Sequence, residues 1–119
     1  MRYVDGFVIA VPENNLKVYK SISTKAGKIW KEHGALAYIE AVGDDMNVPF
    51  GLPFPKLTKL KEGEVVIFSF IVYNSRKDRD RINKLVMEDP RMKKMMGQGP
   101  MPFDVKRMAF GGFKALVDM

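Results

Sequence analysis

Two carboxylates interrupt otherwise apolar, strand-like stretches: Asp5 in RYVDGFVIAV and Glu40 in ALAYIEAVG. A carboxylate carried into a core needs a partner, and its proton affinity then moves. Such a group serves as a general base or a ligand anchor. The plainer alternative is a strand-edge residue, solvated or paired with Lys or Arg. Hydroxyls fall on the same strand parities. Tyr3 shares a face with Asp5, Tyr38 shares one with Glu40, and Ser69 and Tyr73 share one in EVVIFSFIVYN. Lining a pocket, they would orient a small ligand, although a strand-core serine is commonly bonded locally. Arg107 offers bidentate contact to a carboxylate, or, beside Lys106, is a solvated strand end. His33 is the only histidine. It has the chemistry of a general base or haem ligand, and its place before Gly34 also suits the exposed carbonyls of a helix end. The candidate catalytic groups are therefore Asp5, Glu40 and His33. The candidate ligand contacts are Tyr3, Tyr38, Ser69, Tyr73 and Arg107.

Composition removes other chemistries. There is no Cys, so disulfides, thiolate nucleophiles and Cys-ligated metal or haem are excluded. One His rules out a multi-His metal site within the chain, and no cofactor is expected. No apolar run reaches the roughly 18 residues that cross a bilayer. The start, MRYVDGFVIAVPENN, lacks the pattern of a signal peptide. A cytoplasmic protein is the default expectation. Twenty Lys and Arg against fourteen Asp and Glu give +6. The charges are dispersed, and the densest stretch, RKDRDR at 76–81, carries two Asp. It reads as solvated surface, leaving nucleic acid as a weaker alternative partner.

The elements that position these residues follow from periodicity. Residues 2–11 read as a strand stopped by Pro12, with Asn14 or Asn15 as the cap of a following helix. Leu16, Tyr19, Ser23, Ala26, Trp30 and His33 recur every three or four residues, predicting an amphipathic helix ended by Gly34. Residues 35–43 form a second strand. Residues 44–63, with three Pro, form an irregular connection. Residues 64–74 form the clearest strand. Ser75 caps a second helix over 75–89 with Ile82, Leu85 and Val86 inward. A short helical turn and a Gly/Pro loop follow over 91–104, carrying Met92, Met95, Met96 and Met101. These form a soft lid over a pocket, or interface packing. The last strand spans 105–117, interrupted by Gly111-Gly112 as a bulge or close backbone approach.

The order β-α-β-β-α-β predicts an α+β, ferredoxin-like fold over residues 1–119: a four-stranded antiparallel sheet with two helices on one face. Three of the four strands are apolar on both parities. Two helices cover one face only, and an apolar sheet face left wet would far exceed ordinary surface patches. A second copy of the chain, sheet against sheet, is the expected partner, making a homodimer. The alternative is that the 44–63 segment folds over the sheet.

The blocks YVDGFVIAVP, KAGKIWKEHGALAYIEAVGDD, VIFSFIVYNSRKDRDRINKLVMEDPRM and PFDVKRMAFGGFKALVD together resemble the domain-of-unknown-function family 1428. This family is a branch of the dimeric α+β-barrel superfamily. The resemblance implies fold and dimerisation and supplies no reaction. Related branches include cofactor-independent monooxygenases, haem degraders and chlorite-dismutase-like proteins. The haem degraders' Asn, Trp and His site has no counterpart, because Trp30 and His33 lie on a helix behind the sheet. The functional expectation is binding of a small, largely apolar molecule by a homodimeric barrel. The polar contacts would be Asp5, Tyr38, Glu40, Ser69 and Tyr73, with the Phe-rich 50–55 segment as a rim. Proton abstraction without a cofactor is the expected chemistry, and an oxygenase- or isomerase-like enzyme is what the resemblance to the related branches implies by analogy. A non-catalytic assembly module and a nucleic-acid binder are the alternatives.

Overall fold

Runs of Val, Ile, Phe and Tyr at 3–12 and 64–73 favour extended backbone, because β-branched and aromatic side chains fit a pleated, half-buried surface. In the structure, a computed structural model describing residues 1–119, they form the two central strands. The chain runs β1 (Tyr3–Pro12), α1 (Leu16–Glu32), β2 (Ala37–Val42), a single turn α2 (Phe54–Leu57), β3 (Glu64–Tyr73), α3 (Arg76–Glu88), α4 (Pro90–Met96) and β4 (Ala109–Lys114). The strands pair antiparallel in the order β2-β3-β1-β4. This is the ferredoxin-like arrangement expected from the element order.

Several boundaries follow from local chemistry. Ser75 Oγ accepts from the Asp78 backbone N–H at 3.1 Å and starts α3. Gly34, at φ 117°, lets Ala35 N–H reach back to the Trp30 carbonyl at 3.0 Å and ends α1. The start of α1 differs from expectation. Neither Asn14 nor Asn15 caps it through a side chain; a 3-10 turn over Glu13–Asn15 leads in. The Asn15 amide instead donates to the Pro102 carbonyl at 2.9 Å, tying the helix start to the segment before β4.

The last strand is shorter than the expected 105–117. Asp104 accepts from Lys106 N–H at 3.0 Å and winds 105–107 into a 3-10 turn, and β1 offers register partners only to residues 109–114. Gly111 and Gly112 stay in the ladder opposite Gly6 and Asp5, so there is no bulge. A close approach does hold at Gly112, where a Cβ would stand 2.6 Å from Arg79 Nη2 and 2.7 Å from the Tyr3 ring. Leu85 is 37% exposed rather than inward, because α3 meets the body along a narrow seam through Ile82 and Val86.

The core is divided. One cluster holds Ile29, Ile71, Tyr73, Ile82, Val86 and Met92 among its members, and a second holds Ile9, Val11, Tyr19 and Ile67. Phe7 packs against both. The opposite face of the sheet presents Val4, Val8 and Ala10, then Val66, Phe68, Phe70 and Val72, then Ile39 and Phe113. Of the paired positions across that face only Glu64, opposite Pro12 at the far end of β3, is charged. Phe68 and Ile39 are each 45% exposed and Phe113 is 61% exposed. The 44–63 segment reaches only one corner, where Phe54 lies 6.2 Å from Phe68. It does not cover the sheet.

Candidate functional site

The register lays a row of side chains across the helix-facing side of the sheet: Glu40 opposite Ser69, Ser69 opposite Phe7, and Phe7 opposite Phe110. The next row begins with Tyr38 opposite Ile71. Over these rows pass α1 and α4. Between them and the sheet lies a cavity of about 540 Å³. Its walls include Phe7, Ile71, Ala26 and Trp30, and its outer side carries Met92, Met95, Met96 and Met101. The four methionines read from the sequence as a lid or as interface packing line this space, joined by Met87 and Met108. Unbranched thioether chains adapt to varied shapes, which suits an apolar wall meeting different contours.

One carboxylate enters this apolar space. Glu40 accepts a hydrogen bond from the Tyr19 hydroxyl at Oε1, 2.6 Å, and from the Tyr38 hydroxyl at Oε2, 2.9 Å. Burial, reinforced by the Glu40 charge and hydrogen bonds, pushes both phenols well above the usual tyrosine range. They therefore remain protonated donors at any ordinary pH. Ser23 also borders the phenols and the cavity. Each Glu40 oxygen has two acceptor lobes, so one phenol on each leaves capacity for a further donor. The same trio faces a broader groove of about 790 Å³ between α1 and β2. Gly27 makes the packing possible. A Cβ there would meet Tyr38 Cδ1 at 2.7 Å.

The remaining sequence candidates fall into three other places. Tyr3, Asp5 and Tyr73 belong to a buried network on α3. Arg79 Nε lies 3.6 Å from Asp5 Oδ1, and Arg79 Nη2 donates to the Tyr3 hydroxyl at 3.0 Å. The Asn83 carbonyl oxygen accepts from the Tyr73 hydroxyl and from Trp30 Nε1, each at 3.0 Å. Burial, then the Asp5 charge, pushes the Tyr73 phenol up. Asp5 is thus held by a guanidinium and lies outside the cavity wall. Truncating one partner of such a buried pair strands the other's charge, which typically costs about 3–5 kcal/mol, so the network's evident role is to fix α3 on the sheet.

His33 caps the C-terminal end of α1, its Nε2 2.9 Å from Asp89 Oδ2. Asp89 caps α4 through Arg91 N–H, and Arg91 together with His33 holds its carboxyl well below the usual range. Arg107 grips Glu64 at 2.6 Å and Asp104 at 3.1 Å. The Arg107 guanidinium holds Glu64 down at about 2. Neither His33 nor Arg107 touches the cavity, and the 50–55 segment does not rim it.

Of the eight candidates, the fold brings together Glu40, Tyr38 and Ser69. Tyr19 and Ser23 join them from α1, although their helical spacing alone reads as core. No group of three or more His, Cys, Asp or Glu side chains is arranged to hold a metal ion. No helix is long and apolar enough to cross a membrane.

The profile of the family described as "Protein of unknown function (DUF1428)" matches residues 2–105. The chain belongs to the DUF1428 family. It is 45% identical to "Uncharacterized protein YbaA" of Escherichia coli K12 over 120 residues, covering 99% of each chain. Among solved structures, this DUF1428 chain is similar to Rv0793 from Mycobacterium tuberculosis. The TM-score is 0.60 at 12% identity, with 99% of this chain and 98% of that one covered. It is also similar to SnoaB, a cofactor-independent oxygenase from Streptomyces nogalater. There the TM-score is 0.58 at 10% identity, with 99% and 96% covered. At such identities the likeness is one of fold.

Proposed function

We propose that this DUF1428 protein binds a small, largely apolar molecule in the Met-lined cavity and takes a proton from it with Glu40. The observation that carries the reading is a single carboxylate, held by two phenol donors, at the wall of a largely apolar space of about 540 Å³. A cavity of that size falls within the range of small-molecule sites. Proton removal from an acidic C–H or O–H breaks that bond and forms O–H on Glu40. The electron pair stays on the ligand as an enolate or phenolate. Burial keeps both phenols neutral, and once Glu40 carries the proton its hold on them weakens, so Tyr19 or Tyr38 can turn its single O–H from the carboxyl to the developing oxyanion. This is isomerase-like chemistry and needs no cofactor. Oxygen chemistry, the activity SnoaB is named for, would begin from the same carbanion.

The protein would work as a homodimer joined through the opposite sheet face. Only 20 of 119 residues are buried in the single chain, too few for a domain of this length to rely on its own core. Covering Phe68, Phe70, Val8 and their neighbours with a second copy would bury about 800 Å² per partner or more. The same face favours pairing over a nucleic-acid role, because it carries no cation. Pure assembly, with no ligand, would leave the methionine cavity without a use.

The test is a titration with N-phenyl-1-naphthylamine, a neutral apolar fluorophore bearing one N–H. Trp30 is the only tryptophan and lines the cavity, so binding quenches its emission by transfer to the probe. Saturable binding, weakened about tenfold by Glu40→Gln through loss of a charge-assisted hydrogen bond, is expected. No quenching at all, or identical affinity for Glu40→Gln, would remove the proposal.

A further inference from the structure

Lysines make none of the ion pairs in this protein; every one uses Arg or His33. Most of the lysines are scattered. Three are not. Lys25 and Lys28 of α1 and Lys94 of α4 converge with Arg91 on a concave shelf of about 380 Å³ where the two helices cross. Its one carboxylate, Glu32, is already committed to Arg91 at 2.6 Å. Arg91 is itself shared between Glu32 and Asp89. The shelf therefore presents three uncompensated ammonium groups. Lys25 and Lys28 also sit three residues apart on one helix face, where like charges repel. The arrangement costs the free protein something and is relieved by an anion.

The shelf is not separate from the cavity. Met95 and Gln98 belong to the walls of both. A molecule whose apolar body lies under the methionines would pass Met95 and leave its far end among the lysines. Glu40, at the wall formed by β2, would meet the other end. Lysine heads are compact point charges with three donors each and accept anions of varied geometry.

We propose that the shelf of Lys25, Lys28 and Lys94 holds the anionic end, carboxylate or phosphate, of the molecule whose apolar body fills the methionine cavity. The ligand is then an amphiphilic acid rather than a neutral hydrophobe. This inference rests on the ligand-binding reading of the cavity given above, and the experiment separates the two.

The full-length protein is loaded with N-phenyl-1-naphthylamine, and the probe is displaced by decanol, decanoate or decyl phosphate, which share one apolar body. The measurement is repeated on the Lys25→Gln/Lys28→Gln/Lys94→Gln variant. A Lys17→Gln/Lys77→Gln/Lys84→Gln variant, with the same change of net charge away from the shelf and the cavity, serves as control. Decanoate or decyl phosphate should displace the probe at concentrations roughly tenfold lower than decanol, as expected for a few partly exposed charge contacts. The advantage should vanish in the shelf variant and survive in the control, and the better of the two acids identifies the headgroup. Equal potency of all three in the wild type, or an anion preference retained by the shelf variant, overturns the shelf proposal and leaves the cavity reading standing. A probe that never binds overturns both.

Discussion

Replacing Gly27 with alanine sets two effects of known size against each other. In the interior of α1, alanine is favoured over glycine by about 0.8–1 kcal/mol, so helix propensity alone would stabilise the protein. The structure opposes this. The new Cβ would stand 2.7 Å from Tyr38 Cδ1, 2.8 Å from Cε1 and 3.3 Å from Cγ. All three atoms belong to one rigid ring, and that ring is anchored by its hydroxyl to Glu40. To regain ordinary carbon–carbon contact the ring must retreat by about 0.7 Å or more, and overpacking of this kind costs about 1–3 kcal/mol. The sum is a net loss of about 1 kcal/mol, or a fall in Tm of about 4 °C for a domain of this length. Differential scanning calorimetry measures it, with Thr24→Ala as the comparison. Thr24 is exposed on the same helix, so its replacement should raise Tm slightly. In a Tyr38→Leu background the clash is gone and Gly27→Ala should become stabilising. A rise in Tm for Gly27→Ala in the wild-type background would refute the claim that the Tyr38 ring presses on the helix backbone.

Acid should weaken the junction before β4. Glu64 is held at about 2 by Arg107, against an ordinary value of 4.5. Between those values the unfolded chain binds the proton that the folded chain refuses, so this contribution is complete above about pH 4.5 and fades as pH falls toward 2. Tm curves for wild type and Glu64→Gln should therefore be well separated at pH 7 and converge across that window. A constant gap would contradict the ion pair. Phe68→Lys places a charge at the middle of the exposed sheet face. Sedimentation equilibrium at 10 μM should find two 13.5 kDa chains together in the wild type and a single chain in the variant. A wild-type monomer would remove the homodimer proposal.

What could be read from the sequence was mainly periodic. Strand parity put Tyr38 on one face with Glu40 and Ser69 on one face with Tyr73, while the register that joins the two faces came only with the structure, and local chemistry marked Ser75 and Gly34 as helix boundaries. The four spaced methionines announced a soft apolar cluster without saying whether it was a lid or interface packing. Tyr19 was hidden because a tyrosine on a helical stripe looks like any core residue. The signal available was the run Tyr19, Ser23, Gly27, spaced four apart, which places hydroxyls and a gap along one line facing β2. Arg79 was hidden by its neighbours. RKDRDR reads as solvated charge, yet Arg79 precedes Ile82, Asn83 and Val86 at inward spacing and is drawn to Asp5. Asp5, His33 and Arg107 looked chemical because sequence reveals an ionisable group and conceals its partner. Arg79, Asp89 and Glu64, the partners in question, are 74, 56 and 43 residues away in the chain.

The claim on which the account depends is that the space under the methionines receives a ligand. All nine methionines can be followed at once by carbon-13 methyl NMR. Six of them, Met87, Met92, Met95, Met96, Met101 and Met108, line the cavity, while Met1, Met46 and Met119 lie outside it. On addition of N-phenyl-1-naphthylamine the methyls of the first six should shift together and saturably, and those of the other three should stay in place. Unmoved cavity methyls, or a shift confined to Met46 on the far side of the sheet, would contradict the account.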